Sequence, residues 1–249
     1  MSEHDEQWAN WCRDFDAAHQ DITRLFHNRY VWLAIRDMIG RTGHEIGFNT
    51  IVQNWLTTNY AHTLCTGIRR ETDRNPKTSS LNRCVAQLRE NPAMATRERY
   101  AAALPDRPDM PRHYREQFVN RYDEFVAAPG ADHLDITKIE THLAELKAAA
   151  ETTRAYTNKI IAHREVVTDK PITLRWDELD KALNKVGEVL KHYYKLRHPG
   201  SILGNLTPEL PLGWEKPFRS AWCPEDYWPT SRPAKTADTY VHQVDNEDA

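Results

Sequence analysis

The sequence predicts an all-α protein: an up-and-down helical bundle followed by an irregular C-terminal extension rich in proline and tryptophan. Apolar residues recur at steps of three and four through most of the first 197 residues, which is the spacing of amphipathic helices. No segment of useful length alternates apolar and polar residues as a half-buried strand would. We therefore expect residues 1–197 to form the bundle and residues 198–249 to form the extension.

Two long helices and a short one are predicted for the first 90 residues. The first covers about residues 8–39 and is followed by three glycines between 40 and 47. The second covers about residues 50–73 and stops at an Asn-Pro pair. Ser79 or Ser80 is placed to cap the third helix, because a serine hydroxyl accepts a hydrogen bond from a free amide of the first turn.

The middle of the chain is predicted to be less regular. Four prolines within residues 91–112 indicate a connector that holds at most a short helix over residues 97–103. A longer helix is expected over residues 112–127, ended by a Pro-Gly pair. Thr137 and Glu140 then have the spacing of a capping box, which predicts the start of the next helix.

Two further helices are predicted to form an antiparallel pair. Apolar residues between 139 and 160 repeat at alternating steps of four and three, and those between 176 and 193 do the same after a short connector. The extension from Pro199 onward holds half of the 14 prolines and three of the eight tryptophans. We expect its first part to pack on the bundle and its last residues, VDNEDA, to be loose.

Composition and charge exclude several classes of protein. Hydrophobic residues make up 40% and charged residues 28% of the chain, with a net charge of −3, so no overall charge favours nucleic acid or membrane binding. The polar N-terminus is no signal peptide, and no apolar run approaches the roughly 20 residues of a membrane-spanning helix. The four cysteines are scattered, which is typical of a reducing compartment. We expect a cytoplasmic protein without membrane association.

Two short segments resemble a known superfamily. They are NKIIAHRE, residues 158–165, and GIRRETD, residues 67–73, followed by SSL. Both resemble the HEPN superfamily, most closely its abortive-infection branch, over about residues 5–197. Its members are helical bundles that often act as metal-independent ribonucleases in toxin and phage-defence systems. The resemblance implies a homodimer, an RNA substrate and an antitoxin or other protein partner, and it implies no metal and no other cofactor.

The sequence departs from the catalytic pattern of that superfamily. The pattern is an arginine followed, after four to six residues, by a histidine. Upstream of His163, the three permitted arginine positions hold Tyr156, Thr157 and Asn158. The nearest upstream arginine, Arg154, is nine positions away and lies on the opposite side of a straight helix. Arg154 therefore does not take the missing role.

Other residues near His163 are candidates for a catalytic site. Lys159 and Tyr156 precede it by one and two helical turns and share its face. Arg164 follows it directly, and Asn158 keeps a polar residue commonly found within the superfamily motif. A histidine that titrates near neutrality can transfer protons, while a cation stabilises the charge on a phosphate. Such a site would cleave RNA.

The helix end at residues 67–73 supplies candidates for substrate binding. Arg69 or Arg70 would supply the missing positive charge if the second helix packs beside His163. The structural alternative is that Arg70 pairs with Asp73, three positions on, and fixes the turn after the helix. For these residues the structural role is the favoured one.

Three functional interpretations remain open from the sequence. The leading one is a HEPN-like ribonuclease of a bacterial defence or toxin–antitoxin system, acting at a homodimer cleft. The second is a non-catalytic HEPN-like scaffold or binding module, which the vacant arginine positions favour. In the third, the bundle has no role with nucleic acid, and His163 packs against a neighbouring helix near the negative end of its own helix dipole.

Overall fold

Seven α-helices make up most of the protein in a computed structural model that describes residues 3–42, 50–75, 77–105, 111–158, 175–201 and 206. The predicted all-α bundle is confirmed. The helices are α1 (Glu3–Thr42), α2 (Thr50–Glu71), α3 (Leu81–Glu90), α4 (Arg97–Ala102), α5 (Arg112–Asn120), α6 (Ile136–Tyr156) and α7 (Trp176–Arg197).

Helices α1 and α2 run antiparallel. The rings of Trp32 and Tyr60 stack with centroids 5.3 Å apart, and farther down the pair Arg70 Nη2 lies 2.9 Å from Asp21 Oδ2. The residue numbers of the contacting partners in α2 therefore decrease as those in α1 increase. Trp176, the first residue of α7, adds a third ring to the stack, 5.7 Å from Tyr60.

The other two long helices complete an up-and-down bundle. Lys185 of α7 lies 3.4 Å from Glu145 of α6, and the Tyr193 hydroxyl lies 3.1 Å from His142 Nδ1, so α6 and α7 are antiparallel. Helix α7 also runs antiparallel to α1, because Arg197 pairs with Asp16 at 2.9 Å while earlier α7 residues contact the middle of α1. Helices α1 and α6 thus run one way, and α2 and α7 run the other.

The core lies where α3 covers the lower part of the bundle. Trp11 of α1 is 1% exposed, and its indole N–H donates to the Cys84 carbonyl of α3 at 2.9 Å. Fully buried leucines from α2, α3, α6 and α7 belong to the same core cluster. Each such side chain contributes about 1.5–3 kcal/mol by leaving water. Burial of these apolar stripes is what joins the helices.

The chain between α5 and α6 differs from the prediction. Helix α5 ends at Asn120 and passes into a 3-10 turn over Arg121–Glu124, whereas the sequence predicted helix to residue 127. The turn buries Tyr122, whose hydroxyl donates to the Ala95 carbonyl at 2.6 Å. Val126 and Leu134 then form an isolated antiparallel bridge. Contacts that are distant in sequence therefore end this helix early.

The capping prediction is correct for α3 and wrong for α6. Ser80 caps α3 by accepting from Arg83 N at 3.1 Å. At α6 the cap is Asp135, whose Oδ1 accepts from Thr137 N at 2.9 Å. Thr137 lies inside the helix and is no cap. Aspartate and threonine are both accepted at this position, and the bridge at Leu134 directs the chain so that Asp135 comes first.

The described part of the C-terminal extension contacts the core. Leu206 is 3% exposed and belongs to the core cluster, where its side chain lies close to Gly187 of α7. The remaining extension, including the VDNEDA end, lies outside the described residues, and the domain boundary at residues 197 and 198 stays a prediction. Within the described ranges, no helix is both long enough and apolar enough to cross a membrane.

Candidate functional site

The candidate site lies where the end of α6 meets the end of α2. Beyond Tyr156, residues Thr157 and Asn158 continue in a wider, π-helical turn. This turn breaks the regular 100° step on which the shared face of Tyr156 and His163 was predicted. Lys159, His163 and Arg164 lie outside the described residues.

Tyr156 occupies the first vacant arginine position as a half-buried ring. The ring lies 5.8 Å from the ring of His62 in α2, centroid to centroid. Burial, and to a smaller degree the nearby Cys65 thiol, raises the pKa of Tyr156 to about 12. The phenol therefore stays protonated near neutral pH, where it can donate a hydrogen bond but does not act as a base.

Thr157 occupies the second vacant position and is satisfied within its own helix. Its side chain is 4% exposed, and its hydroxyl donates to the Thr153 carbonyl at 2.7 Å. Thr153 is itself fully buried and donates to the Ala150 carbonyl at 3.2 Å. This stretch of α6 carries no charge toward the core, so it offers nothing to a phosphate.

Asn158 occupies the third vacant position and is met by a cation from another helix. Arg69 Nη1 of α2 donates to Asn158 Oδ1 at 2.5 Å. Among the described residues Arg69 has no carboxylate partner, and its side chain is exposed. Helix α2 therefore brings a guanidinium beside Asn158, one of the three positions at which the superfamily pattern has an arginine. The nearest arginine along α6, Arg154, instead pairs with Glu151 at 3.1 Å.

Arg70 has a structural role with partners that the sequence did not predict. Its guanidinium pairs with Asp21 at 2.9 Å and with Glu71 at 3.1 Å. The expected pair with Asp73 is wrong, because α2 ends at Glu71 and the three-residue spacing of a helix face no longer applies. The Asp73 carboxylate accepts from Asn75 N at 3.1 Å and fixes the turn there. Arg70 thus anchors α2 to α1.

Glu71 is a buried residue that sequence reasoning missed. Its side chain is fully buried, with one oxygen facing Arg70 and the other accepting from Leu81 N at 3.3 Å, at the start of α3. Burial raises the pKa of Glu71 to about 7, against the smaller opposing effect of Arg70. The signal was present in the sequence, since Glu71 continues the apolar stripe of Leu64 and Ile68.

The two segments singled out in the sequence therefore meet in space. GIRRETD ends α2 against α1 and α3, and the first residue of NKIIAHRE receives a hydrogen bond from it. A comparison with known families then decides the relationship: a family model named HEPN_AbiU2, described as AbiU2, matches residues 9–199. The chain belongs to the HEPN_AbiU2 family.

The HEPN_AbiU2 match begins six residues into α1 and stops just after the end of α7. It confirms the predicted resemblance to an abortive-infection branch of the HEPN superfamily. No curated protein matches the chain, and no solved structure matches it.

The arrangement found in this HEPN_AbiU2 protein can hold an anion at one place. The Arg69 guanidinium offers several N–H donors, and the amide of Asn158 lies beside it. A phosphate oxygen at this place would meet a delocalised positive charge in a geometry that favours two parallel hydrogen bonds. In the ranges that the structure describes, no group of three or more His, Cys, Asp or Glu side chains is arranged to hold a metal ion.

Proposed function

We propose that this protein is a metal-independent endoribonuclease of a bacterial defence or toxin–antitoxin system that acts as a homodimer. His163 is the proton-transfer residue, and Arg69 supplies the positive charge that the motif itself lacks. The observation that carries the proposal is the 2.5 Å contact between Arg69 and Asn158. This contact supports a site in which the cation comes from α2 rather than from the helix of the histidine.

The proposed chemistry needs two capabilities. The 2′-hydroxyl of RNA must lose a proton as it attacks the neighbouring phosphate, and the leaving 5′-oxygen must gain one, which a histidine titrating near neutrality can serve. Charge also builds on the phosphate oxygens in the transition state, and a preorganised guanidinium stabilises it. The expected products are a 2′,3′-cyclic phosphate and a free 5′-hydroxyl.

Arg69 is favoured over the other cations for a physical reason. Arg70 is held between two carboxylates, Asp21 and Glu71, so moving it to a phosphate would break two ion pairs. Arg69 makes its contact with a neutral amide, which a phosphate can replace at little cost. Lys159 and Arg164 remain proposed as secondary sources of charge, and Tyr156 as a hydrogen-bond donor.

The test is cleavage of a labelled RNA in the presence of a chelator. We expect His163→Ala and Arg69→Ala to lose activity by about a hundredfold or more, as the loss of one transition-state donor does elsewhere. Arg69→Lys keeps the charge but not the bidentate geometry. Its cleavage rate should therefore lie between those of the unchanged protein and Arg69→Ala. The matched control is Arg154→Ala, an exposed arginine on α6 that pairs with Glu151 on the same helix. It should cleave as the unchanged protein does.

Two results would overturn this assignment. Equal losses in Arg69→Ala and Arg154→Ala would remove the specific role of Arg69. A folded, dimeric protein that does not cleave RNA would favour the competing function, a non-catalytic HEPN-like scaffold. The buried, internally bonded Thr157 at a vacant arginine position is the observation that supports that alternative.

A further inference from the structure

Helix α2 has one face against the core and one face toward solvent. Leu64 and Ile68 lie on the buried face. At 100° per residue, five side chains on the opposite side fall within an arc of about 80° and form what we call the outer face of α2. They are Trp55, Asn59, His62, Thr66 and Arg69. All five are exposed except His62, which is half-buried where its ring meets Tyr156 of α6.

Trp55 presents an exposed aromatic ring at one end of the outer face. The residue is 63% exposed, whereas the other tryptophans in the described ranges are buried or half-buried. Trp11 stacks on Phe15, and Trp32 stacks on Trp176; Trp55 has no aromatic neighbour among the residues that the structure describes. Its indole therefore contributes little to the core and has both an apolar surface and a π-face to offer a ligand.

Arg69 lies at the other end of the outer face, and no acid lies between the two ends. Fourteen positions separate Trp55 from Arg69, which corresponds to about 21 Å along the helix. Helix α2 contains no aspartate or glutamate before Glu71, which is fully buried. The whole chain has 36 acidic and 33 basic residues, so a surface helix without an exposed acid is unusual in it. A phosphate backbone along α2 would meet no like charge from this helix.

An exposed ring and a cation on one surface are the two contacts by which proteins hold single-stranded nucleic acid, since rings stack on bases and cations bind phosphates. We infer that the outer face of α2 binds single-stranded RNA, with a base stacked on Trp55 and a phosphate farther along the strand at Arg69. A paired base has its faces covered by its neighbours, so a duplex cannot use the indole in this way. The inference rests on the proposed function and adds the substrate class to it.

The test is binding of the full chain to fluorescently labelled 2′-O-methyl RNA of about 12 nucleotides, a usual length for single-strand sites. The methyl group blocks the attacking 2′-oxygen, so fluorescence anisotropy measures binding whether or not the protein cleaves RNA. Trp55→Ala should weaken binding by about tenfold, the loss of one stacked base. The same RNA in a duplex should bind more weakly, and its binding should not respond to Trp55→Ala.

Two further Trp55 variants separate stacking from apolar contact. Trp55→Phe keeps a ring and should stay within about threefold of the unchanged protein. Trp55→Leu keeps apolar bulk without a π-face and should bind as weakly as Trp55→Ala. The matched control is Tyr114→Ala, which removes another exposed ring, 49% exposed and on α5. It should bind as the unchanged protein does.

Salt dependence separates the roles of the two ends. Arg69→Gln removes one phosphate contact and should reduce the slope of log K against log salt concentration by about 0.7. Trp55→Ala should lower the affinity at every salt concentration and leave this slope unchanged, because stacking releases no counterions.

Three outcomes would overturn the inference: equal effects of Trp55→Ala and Tyr114→Ala, a Trp55→Leu protein that binds as the unchanged protein does, or a Trp55→Ala protein that light scattering shows to be a smaller species. In the last case the indole would belong to a contact between copies of the chain. Failure of the proposed function gives a different result. Unmodified RNA would then stay intact while binding of the 2′-O-methyl RNA still depended on Trp55.

Discussion

Replacing Glu71 with glutamine should remove a specific part of the pH dependence of stability. Glu71 is fully buried between Arg70 and the first amide of α3, and burial raises its pKa to about 7 from an ordinary 4.5. Glutamine has nearly the same shape, keeps an oxygen for Leu81 N and carries no charge at any pH. The substitution therefore tests the ionisation rather than the packing.

The magnitude follows from proton linkage. Because the pKa of Glu71 is higher in the folded protein than in the unfolded chain, the folded state binds the proton more tightly. The resulting stabilisation is fully present below about pH 4.5 and is lost as the pH rises through 7. Between pH 5 and pH 8 the loss comes to about 2.5 kcal/mol in the free energy of unfolding. Glu71→Gln should not show this loss of stability.

The assay is urea denaturation of both proteins at several pH values between 5 and 8. Other groups also change the free energy of unfolding in this pH range. His192, with its lowered pKa, makes the protein more stable as the pH rises, which is opposite to the effect of Glu71. These contributions are the same in both proteins and cancel when the two free energies of unfolding are subtracted. That difference should move by about 2.5 kcal/mol in favour of Glu71→Gln as the pH rises. Glu140→Gln, at an exposed α6 position, is the control.

Two outcomes would refute this reasoning. A difference that stays constant from pH 5 to pH 8 would mean that Glu71 ionises in the folded protein as it does in the unfolded chain. A difference that moves the other way would mean that the ion pair with Arg70 outweighs burial, so that the folded pKa lies below 4.5.

Two further predictions concern a helix cap and a helix contact. Asp135→Ala should lower the free energy of unfolding by about 1 kcal/mol because it removes the α6 cap, while Thr137→Ala should change it much less. Urea denaturation of both variants measures the two losses, and equal losses would contradict the assignment of the cap. Gly187→Ala should lower the free energy of unfolding by about 1–2 kcal/mol, measured by thermal or urea denaturation. The added methyl would lie 2.6 Å from the Phe26 ring, and this clash outweighs the gain in helix propensity. A variant as stable as the unchanged protein would show that Phe26 moves aside freely.

Local signals in the sequence determined most of the fold. Apolar spacing located all the long helices within a few residues of their observed ends, and Ser80 was named correctly as a cap. Helical periodicity and capping depend on neighbours three or four positions away, so they can be read without knowing the tertiary structure. The family resemblance likewise rested on two short segments and was confirmed by the match over residues 9–199.

Errors occurred where distant residues compete with local preference. Tyr122 is buried against Ala95, 27 positions earlier, and this contact ends α5 before the sequence pattern does. Asp135 replaced Thr137 as a cap because a bridge between Val126 and Leu134 sets the entry of the chain. In both cases burial and long-range hydrogen bonds contribute more than the small difference in propensity between the alternatives.

The candidate site likewise combines features that the sequence determined with a contact that only the tertiary structure decided. The sequence by itself determined that the three positions before His163 lack an arginine, because that is a matter of residue identity. Only the tertiary structure decided which cation meets Asn158. Arg69 and Asn158 are 89 residues apart, and neighbouring Arg70 is drawn to Asp21 and Glu71 instead. Adjacent residues on a helix point about 100° apart, so the packing of α2 between α1 and α6 gave two similar arginines different roles.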